Sequence, residues 1–234
     1  MTKVDFSGKT VVLTGVGRAG QVGEIVARAF ADAGARLALI DRDDQVHARA
    51  AELGGTASAH VCDLTNADEV AATAQRIAAD SGGSIAALVN LAGGFGMSGP
   101  VADSDPAVLH KQIAINLTTA YLATRAFLSL LREGKGAIVY FASASVLPDG
   151  TSKNMSGYAA AKAGVLALMR SVAAEELGVV RANALAPTQI RTAENVAGMG
   201  ENAAYVEREA VAEAVLFLCS PASRNVTGQA IKLQ

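Results

Sequence analysis

Thr10-Val-Val-Leu-Thr-Gly-Val-Gly-Arg-Ala-Gly-Gln-Val-Gly23 decides how this chain is read. Its first five residues are apolar or β-branched, the make-up of a short strand buried on both faces. The next nine hold four glycines, Gly15, Gly17, Gly20 and Gly23. A segment so bare turns tightly and lets a ligand approach the backbone. Residues 24–34 then have helical spacing, with Ile25, Ala29 and Ala33 along one row and Gly34 as the stop. Strand, glycine turn and helix together present free N–H groups and the positive end of a helix dipole. That combination suits a pyrophosphate. Gly15 makes the turn, Gly17 or Gly20 admits the phosphate, and Gly23 lets helix and strand pack closely. Arg18 and Val22 belong to the same cradle.

The pattern continues outward from this unit. Residues 36–40 form a second apolar strand that ends on Asp41. Further strands are expected at 57–62, 85–91, 136–142, 179–185 and 229–233. Helices are expected at 43–53, 66–81, 105–132, 156–177 and 207–219. Strands alternating with helices require right-handed crossovers and a parallel sheet covered on both faces. The expected fold is α/β and doubly wound, a seven-stranded parallel sheet in one domain over 1–234.

Composition narrows the functional classes. Of 234 residues, 51% are hydrophobic and 18% charged, which excludes a disordered chain. A formal charge of −2 predicts neither a nucleic-acid partner nor an acidic membrane surface. Cys62 and Cys219 stand far apart, and His47, His60 and His110 are scattered, so no metal-ligand spacing is present. The N-terminal residues lack an apolar core, and no uncharged apolar run reaches spanning length. A soluble, cytoplasmic protein without a metal is expected.

Candidate binding residues collect at the carboxyl ends of the expected strands, where open α/β sheets bind ligands. Asp41 can accept both ribose hydroxyls of NAD and would repel a 2′-phosphate. Arg18 and Arg42 cut the other way, since either could meet the phosphate of NADP. NAD leads. Asp63 and Leu64 follow the third strand, where Asp63 could take the adenine amino group. Asn90, Ala92 and Gly93 follow the fourth and would pass close to the adenosine.

Tyr158-Ala-Ala-Ala-Lys162 places a phenol and an ammonium on one helix face. A free phenol titrates near ~10, too high for proton exchange at neutrality. An adjacent ammonium is expected to lower that value, so Tyr158 could exchange a proton with an alcohol or carbonyl.

Taken together, these motifs resemble the short-chain dehydrogenase/reductase family. The resemblance runs from about residue 6 to the end. It rests on the glycine turn, Asp41, the Asn90-Leu-Ala-Gly93 segment, a serine after a strand, Tyr158 with Lys162, and Pro187 with Ile190 and Thr192. It implies strand order 3-2-1-4-5-6-7 and a tetrad of Asn116, Ser143, Tyr158 and Lys162. Tyr158 would be the general acid/base. Lys162 would assist it and hold the nicotinamide ribose, and Asn116 would support a water relay. Ungapped alignment of the strand selects Ser143, while the family's usual spacing from the tyrosine selects Ser145. Ser143 is preferred, because loops vary more readily than strands. Ser145 would then face the substrate, with Phe95 and Met155 beside it; Met97, Leu147 and Met199 are further apolar candidates. Pro187 would set the entry to a loop in which Ile190 and Thr192 hold the carboxamide. A short lid is expected over 193–206, and the long helices would pack in a homotetramer or dimer.

Three positions depart from the family pattern. The glycine turn is two residues longer than usual. Leu91 stands where an asparagine is usual, and Thr188 stands where a glycine is usual. The expected activity is hydride transfer between NAD(H) and an alcohol or carbonyl. An NADPH-preferring carbonyl reductase is the alternative enzyme. A catalytically silent cofactor sensor or scaffold is the alternative outside enzymology.

Overall fold

A computed structural model describes residues 4–234. The chain runs β1 (Thr10–Thr14), α1 (Val22–Asp32), β2 (Arg36–Asp41), α2 (Val46–Glu52), β3 (Ala57–Val61) and α3 (Ala67–Asp80). It continues through β4 (Ala87–Asn90), α4 (Pro106–Gln112), α5 (Thr119–Gly134), β5 (Ala137–Phe141) and α6 (Ser156–Glu175). It closes with β6 (Arg181–Pro187), α7 (Ala193–Met199), α8 (Arg208–Cys219) and β7 (Ala230–Leu233). The seven strands form one sheet in the order β3-β2-β1-β4-β5-β6-β7. Every neighbouring pair is parallel. This is the doubly wound architecture expected above.

Side-chain alternation explains why the central strands read as unbroken apolar runs. Val11, Leu13, Leu37 and Leu39 enter a layer with Phe30, Val215 and Leu218, under α1 and α8. Val12, Ala38 and Ile40 enter the opposite layer with Ile77, Phe127, Leu131 and Met169, under α3, α5 and α6. Both faces are covered, so both sets must be apolar. Each fully buried Leu or Phe contributes about 1.5–3 kcal/mol relative to exposure.

The order of strand addition reverses between β1 and β4, which opens a crevice at their carboxyl ends. Gly15 crosses this crevice with φ +74°, and a Cβ there would stand 2.6 Å from Ala92 Cα. The Thr14 hydroxyl ties the two strands. It donates to Val89 O at 3.4 Å and accepts from Ala92 N–H at 3.2 Å.

Four local features differ from the sequence-based expectation. Helix α1 begins at Val22, because Gly23 is absorbed into its first turn. The helix expected at 105–132 is interrupted by a π-helical turn at Ile113–Thr118, and an extra residue in one turn leaves no periodic signature. Strand β6 extends through Pro187, which pairs with Leu233, and the next ladder donor is Thr188 N–H to Leu233 O at 2.9 Å. The expected lid at 193–206 contains α7, whose start is capped by the Thr192 hydroxyl accepting from Asn195 N–H at 3.2 Å. By length and composition the run Pro106–Gly134 could cross a membrane. Its Ala123, Phe127 and Leu131 nevertheless lie in the core.

Candidate active site

The glycine turn is built around two carboxylates. Gly17 N–H donates to Asp41 Oδ2 at 2.7 Å, joining the turn to the end of β2. Gly20 N–H donates to Glu24 Oε2 at 2.6 Å, and Glu24 also pairs with Arg28 at 3.7 Å. Glu24 lies in the first turn of α1, where an acidic side chain can reach back to a free amide. It thus closes the lengthened turn. Sequence reasoning passed over it, although its place in the first helical turn was the available signal. Gln21 precedes the helix without a side-chain cap, so α1 keeps unpaired N–H donors facing the turn.

The cradle fits a dinucleotide. Gly15 and Gly93 must be bare because protein already packs against them: a Cβ at Gly15 would meet the Ala92 backbone, and one at Gly93 would stand 2.5 Å from Asn116 Oδ1 and 3.6 Å from Lys162 Nζ. Gly20, by contrast, faces open space with φ +71°. At the carboxyl end of β4, Asn90 Nδ2 donates to Thr124 Oγ1 at 3.4 Å, while Asn90 Oδ1 is buried without a partner. A buried acceptor left open beside the crevice suits a ligand donor. Asp63 is exposed, and its Oδ1 accepts from Thr65 N–H at 2.9 Å and Thr65 Oγ1 at 2.7 Å. Those bonds hold its carboxyl below the usual range, and the nearby Arg42 guanidinium adds to the effect. The Leu64 side chain is buried in the core, so only its backbone is available to a ligand. Val22 likewise packs its side chain against the core and offers its amide.

Tyr158, Lys162, Ser143 and Asn116 converge on one end of the sheet. Lys162 is buried and donates from Nζ to Phe141 O at 2.7 Å, with Nζ 5.7 Å from the Tyr158 ring centre. Burial pushes its ammonium down to about 8. Burial pushes the Tyr158 phenol up, and a hydrogen bond with the Ser143 hydroxyl pulls it back. The expectation that Lys162 lowers the phenol is therefore corrected: desolvation governs both groups, and Ser143 is the opposing influence. The Ser143 and Ser145 hydroxyls lie 2.9 Å apart, so both reach the site and Ser143 is the one beside the phenol.

Asn116 sits in the π-helical turn. Its Nδ2 donates to Gly94 O, Gln112 O and Gln112 Oε1 at 3.0, 3.1 and 2.9 Å, and its Oδ1 accepts from Gly94 N–H at 3.2 Å. It pins the Gly93–Gly94 backbone. Gln112 is the buried partner that the sequence did not single out.

On the substrate side, Phe95 meets the Tyr158 ring edge-on at 5.2 Å and is itself exposed. Ser98 fixes this loop by donating its N–H to Asn154 O at 2.8 Å and accepting from Ser156 N–H at 3.1 Å. Met155 immediately precedes α6 and is half-buried. Met97 and Met199 are exposed, and Leu147 packs against the core. After β6, the Ile190 carbonyl accepts from Asn195 Nδ2 at 2.8 Å, and buried Thr192 caps α7. Arg191 joins the base of this segment to Glu207 at 2.9 Å and Glu201 at 3.1 Å. Arg18 reaches across from the glycine turn to Glu194 at 3.3 Å. An open cleft of about 620 Å³ lies between Gly20 and this segment. Among the described residues, no three His, Cys, Asp or Glu side chains cluster as metal ligands.

The likenesses to known proteins agree with this architecture. A family model described as Enoyl-(Acyl carrier protein) reductase matches residues 15–233. Galactitol 2-dehydrogenase (L-tagatose-forming) of Cereibacter sphaeroides is 36% identical over 240 residues, covering 95% of this chain and 92% of that protein. A short-chain type dehydrogenase/reductase from Mycobacterium ulcerans superposes with TM-score 0.90 at 28% identity, covering 98% of this chain and 90% of that one. The 3-ketoacyl-(acyl-carrier-protein) reductase from Brucella melitensis, solved with NADH, superposes with TM-score 0.85 at 26% identity over 97% of each chain. With its seven-stranded order, glycine turn and these relatives, the chain belongs to the short-chain dehydrogenase/reductase family of oxidoreductases, which use a nicotinamide cofactor.

Proposed function

We propose that this protein is an NAD-dependent dehydrogenase that interconverts a small secondary alcohol of polyol type and its ketone. The observation that carries the reading is the grouping of half-buried Tyr158 with the Ser143 hydroxyl beside its phenol and buried Lys162 beneath its ring. The polyol class comes from the galactitol dehydrogenase relative. The NAD preference rests on Asp41, whose two oxygens each accept one backbone N–H and keep a lone pair for ribose hydroxyls.

When bound, the nicotinamide accepts or supplies the hydride. Tyr158 takes the substrate hydroxyl proton in oxidation and returns it in reduction. Ser143 donates to the substrate oxygen and stabilises the negative charge that develops there. Lys162, anchored on Phe141 O with its Nζ beneath the Tyr158 ring, would hold the nicotinamide ribose. Asn116 fixes the Gly93–Gly94 backbone that lines the cofactor side. Asp63, Asn90, Ala92 and the amides of Leu64 and Val22 would hold the adenosine and phosphates. Pro187, Ile190 and Thr192 would flank the carboxamide. Phe95, Met155 and Ser145 would face the substrate.

Arg18 is the residue that most favours an NADP reading, and its pairing with Glu194 draws it away from that role. A cytoplasmic homotetramer or dimer of one-domain chains, with residues 193–206 as a lid, completes the proposal. Tyr158→Phe tests it directly. Turnover of galactitol or a related polyol should fall by about 10²–10⁴-fold while NADH fluorescence titration stays within about twofold. Undiminished turnover would sink the mechanism, and absence of polyol oxidation in the unmodified enzyme would sink the substrate class.

A further inference from the structure

The Asp41 carboxylate is held from two sides. Gly17 N–H donates to Oδ2 at 2.7 Å, and Asp43 N–H donates to Oδ1 at 3.1 Å. The first bond joins the glycine turn after β1 to the last residue of β2. Gly17 is buried there. A Cβ on residue 17 would stand 2.9 Å from Asp41 Cγ, 3.1 Å from Oδ2 and 3.3 Å from Cβ. These three nearest atoms all belong to Asp41.

Backbone conformation does not account for this glycine. Gly15 and Gly20 have φ of +74° and +71°, which favour glycine for their own sake. Gly17 is not among the positive-φ residues, so an L side chain could adopt its backbone without strain. What requires a bare Cα at position 17 is the carboxylate packed against it. A methyl group would have to push Asp41 aside, and the Gly17 amide would lose its acceptor. The orientation of a carboxylate decides whether its free lone pairs meet two adjacent hydroxyls. It also decides where its charge stands relative to a 2′-phosphate.

We infer that Gly17 is a positioning residue for cofactor choice: its N–H and its missing side chain aim the Asp41 carboxylate at a ribose with a free 2′-hydroxyl. This inference rests on the reading of Asp41 as the group that selects NAD. It assigns position 17 a role in selectivity rather than in phosphate approach.

The test is a fluorescence titration with NADH and NADPH of the full chain and of Gly17→Ala, Asp41→Ala and the double variant. Gly17→Ala should weaken NADH binding about tenfold and leave NADPH binding within about twofold, the scale of one hydrogen bond to a charged acceptor. In the Asp41→Ala background the same substitution should change neither cofactor by more than about twofold. Equal loss of both cofactors in Gly17→Ala overturns the inference, as does a loss that persists when Asp41 is absent. An unmodified protein without NADH preference, or a preference that survives Asp41→Ala, instead overturns the underlying reading of Asp41. Amide hydrogen exchange supplies a second measurement that leaves residue 17 intact. Exchange at Gly17 should quicken in Asp41→Ala, and an unchanged rate overturns the inference even if Gly17→Ala fails to fold.

Discussion

Lys162 Nζ donates to the carbonyl oxygen of Phe141 at 2.7 Å, tying the middle of α6 to the last residue of β5. The bond compensates only part of the cost of burial, which pushes the ammonium from 10.5 down to about 8. Below pH 8 both folded and unfolded chains carry this proton, and stability does not change on its account. Between 8 and 10.5 the unfolded chain binds more protons, so stability rises with pH. The stability difference between wild type and Lys162→Met should therefore move by about 3 kcal/mol in favour of wild type across that window. Urea unfolding of both proteins at pH 7.5 and ~10.5 checks it. A difference that stays level would contradict it.

Ser143 and Ser145 can be separated by their pH profiles. Only Ser143 pulls the Tyr158 phenol downward. Ser143→Ala should lower kcat for alcohol oxidation by about 10²–10³-fold. It should also shift the rising limb of the pH–rate profile to higher pH. Ser145→Ala should leave that limb in place. The opposite pattern would assign the role to Ser145.

Asn116→Ala removes a side chain that is buried and fully bonded to Gly94 and Gln112. The cost should be about 1–3 kcal/mol in urea unfolding. NADH should bind more weakly, because Gly93 and Gly94 lose their anchor. Asn116→Asp should be worse, since it turns an acceptor toward the carbonyl of Gly94 and the oxygens of Gln112. An Asp variant as stable as wild type would show that this network does not hold the loop.

The Arg18–Glu194 pair is exposed on both sides, so its loss should cost less than about 1 kcal/mol. Its effect should appear in ligand binding instead. Glu194→Gln frees the guanidinium and should raise NADPH affinity about threefold, an effect suppressed at ~0.5 M salt. Unchanged NADPH affinity would mean that Arg18 does not reach the 2′ position.

The strands β1, β2, β4 and β5 were legible because each is a short, mostly apolar run, and burial on both faces of a parallel sheet demands that composition. Asp41 and the Tyr158–Lys162 pair were legible because their placement needs only strand and helix periodicity. Gln112 was not, since a polar residue in an amphipathic helix gives no sign that a π-helical turn will bury it. Glu24 and Arg191 were missed for a related reason. Glu24 acts by folding back on its own turn, and Arg191 acts on Glu201 and Glu207 brought near by tertiary structure. The opposite pKa direction at Tyr158 has the same origin, because spacing reveals a neighbouring charge but not the depth of burial around it.

The segment after β6 is tied at its base. Arg191 N–H donates to Val206 O at 2.9 Å, and Val206 N–H donates to Gln189 O at 2.7 Å. A free loop of this length would lose chain entropy each time its ends met. Here the ends already meet, so a lid over 193–206, as proposed, would swing α7 and the turn after it as a hinged flap whose stem stays zipped. Its opening and closing would demand rotation at a few residues near Thr192 and Tyr205, and little refolding. Turnover paced by such a flap would respond to solvent viscosity more than to denaturant.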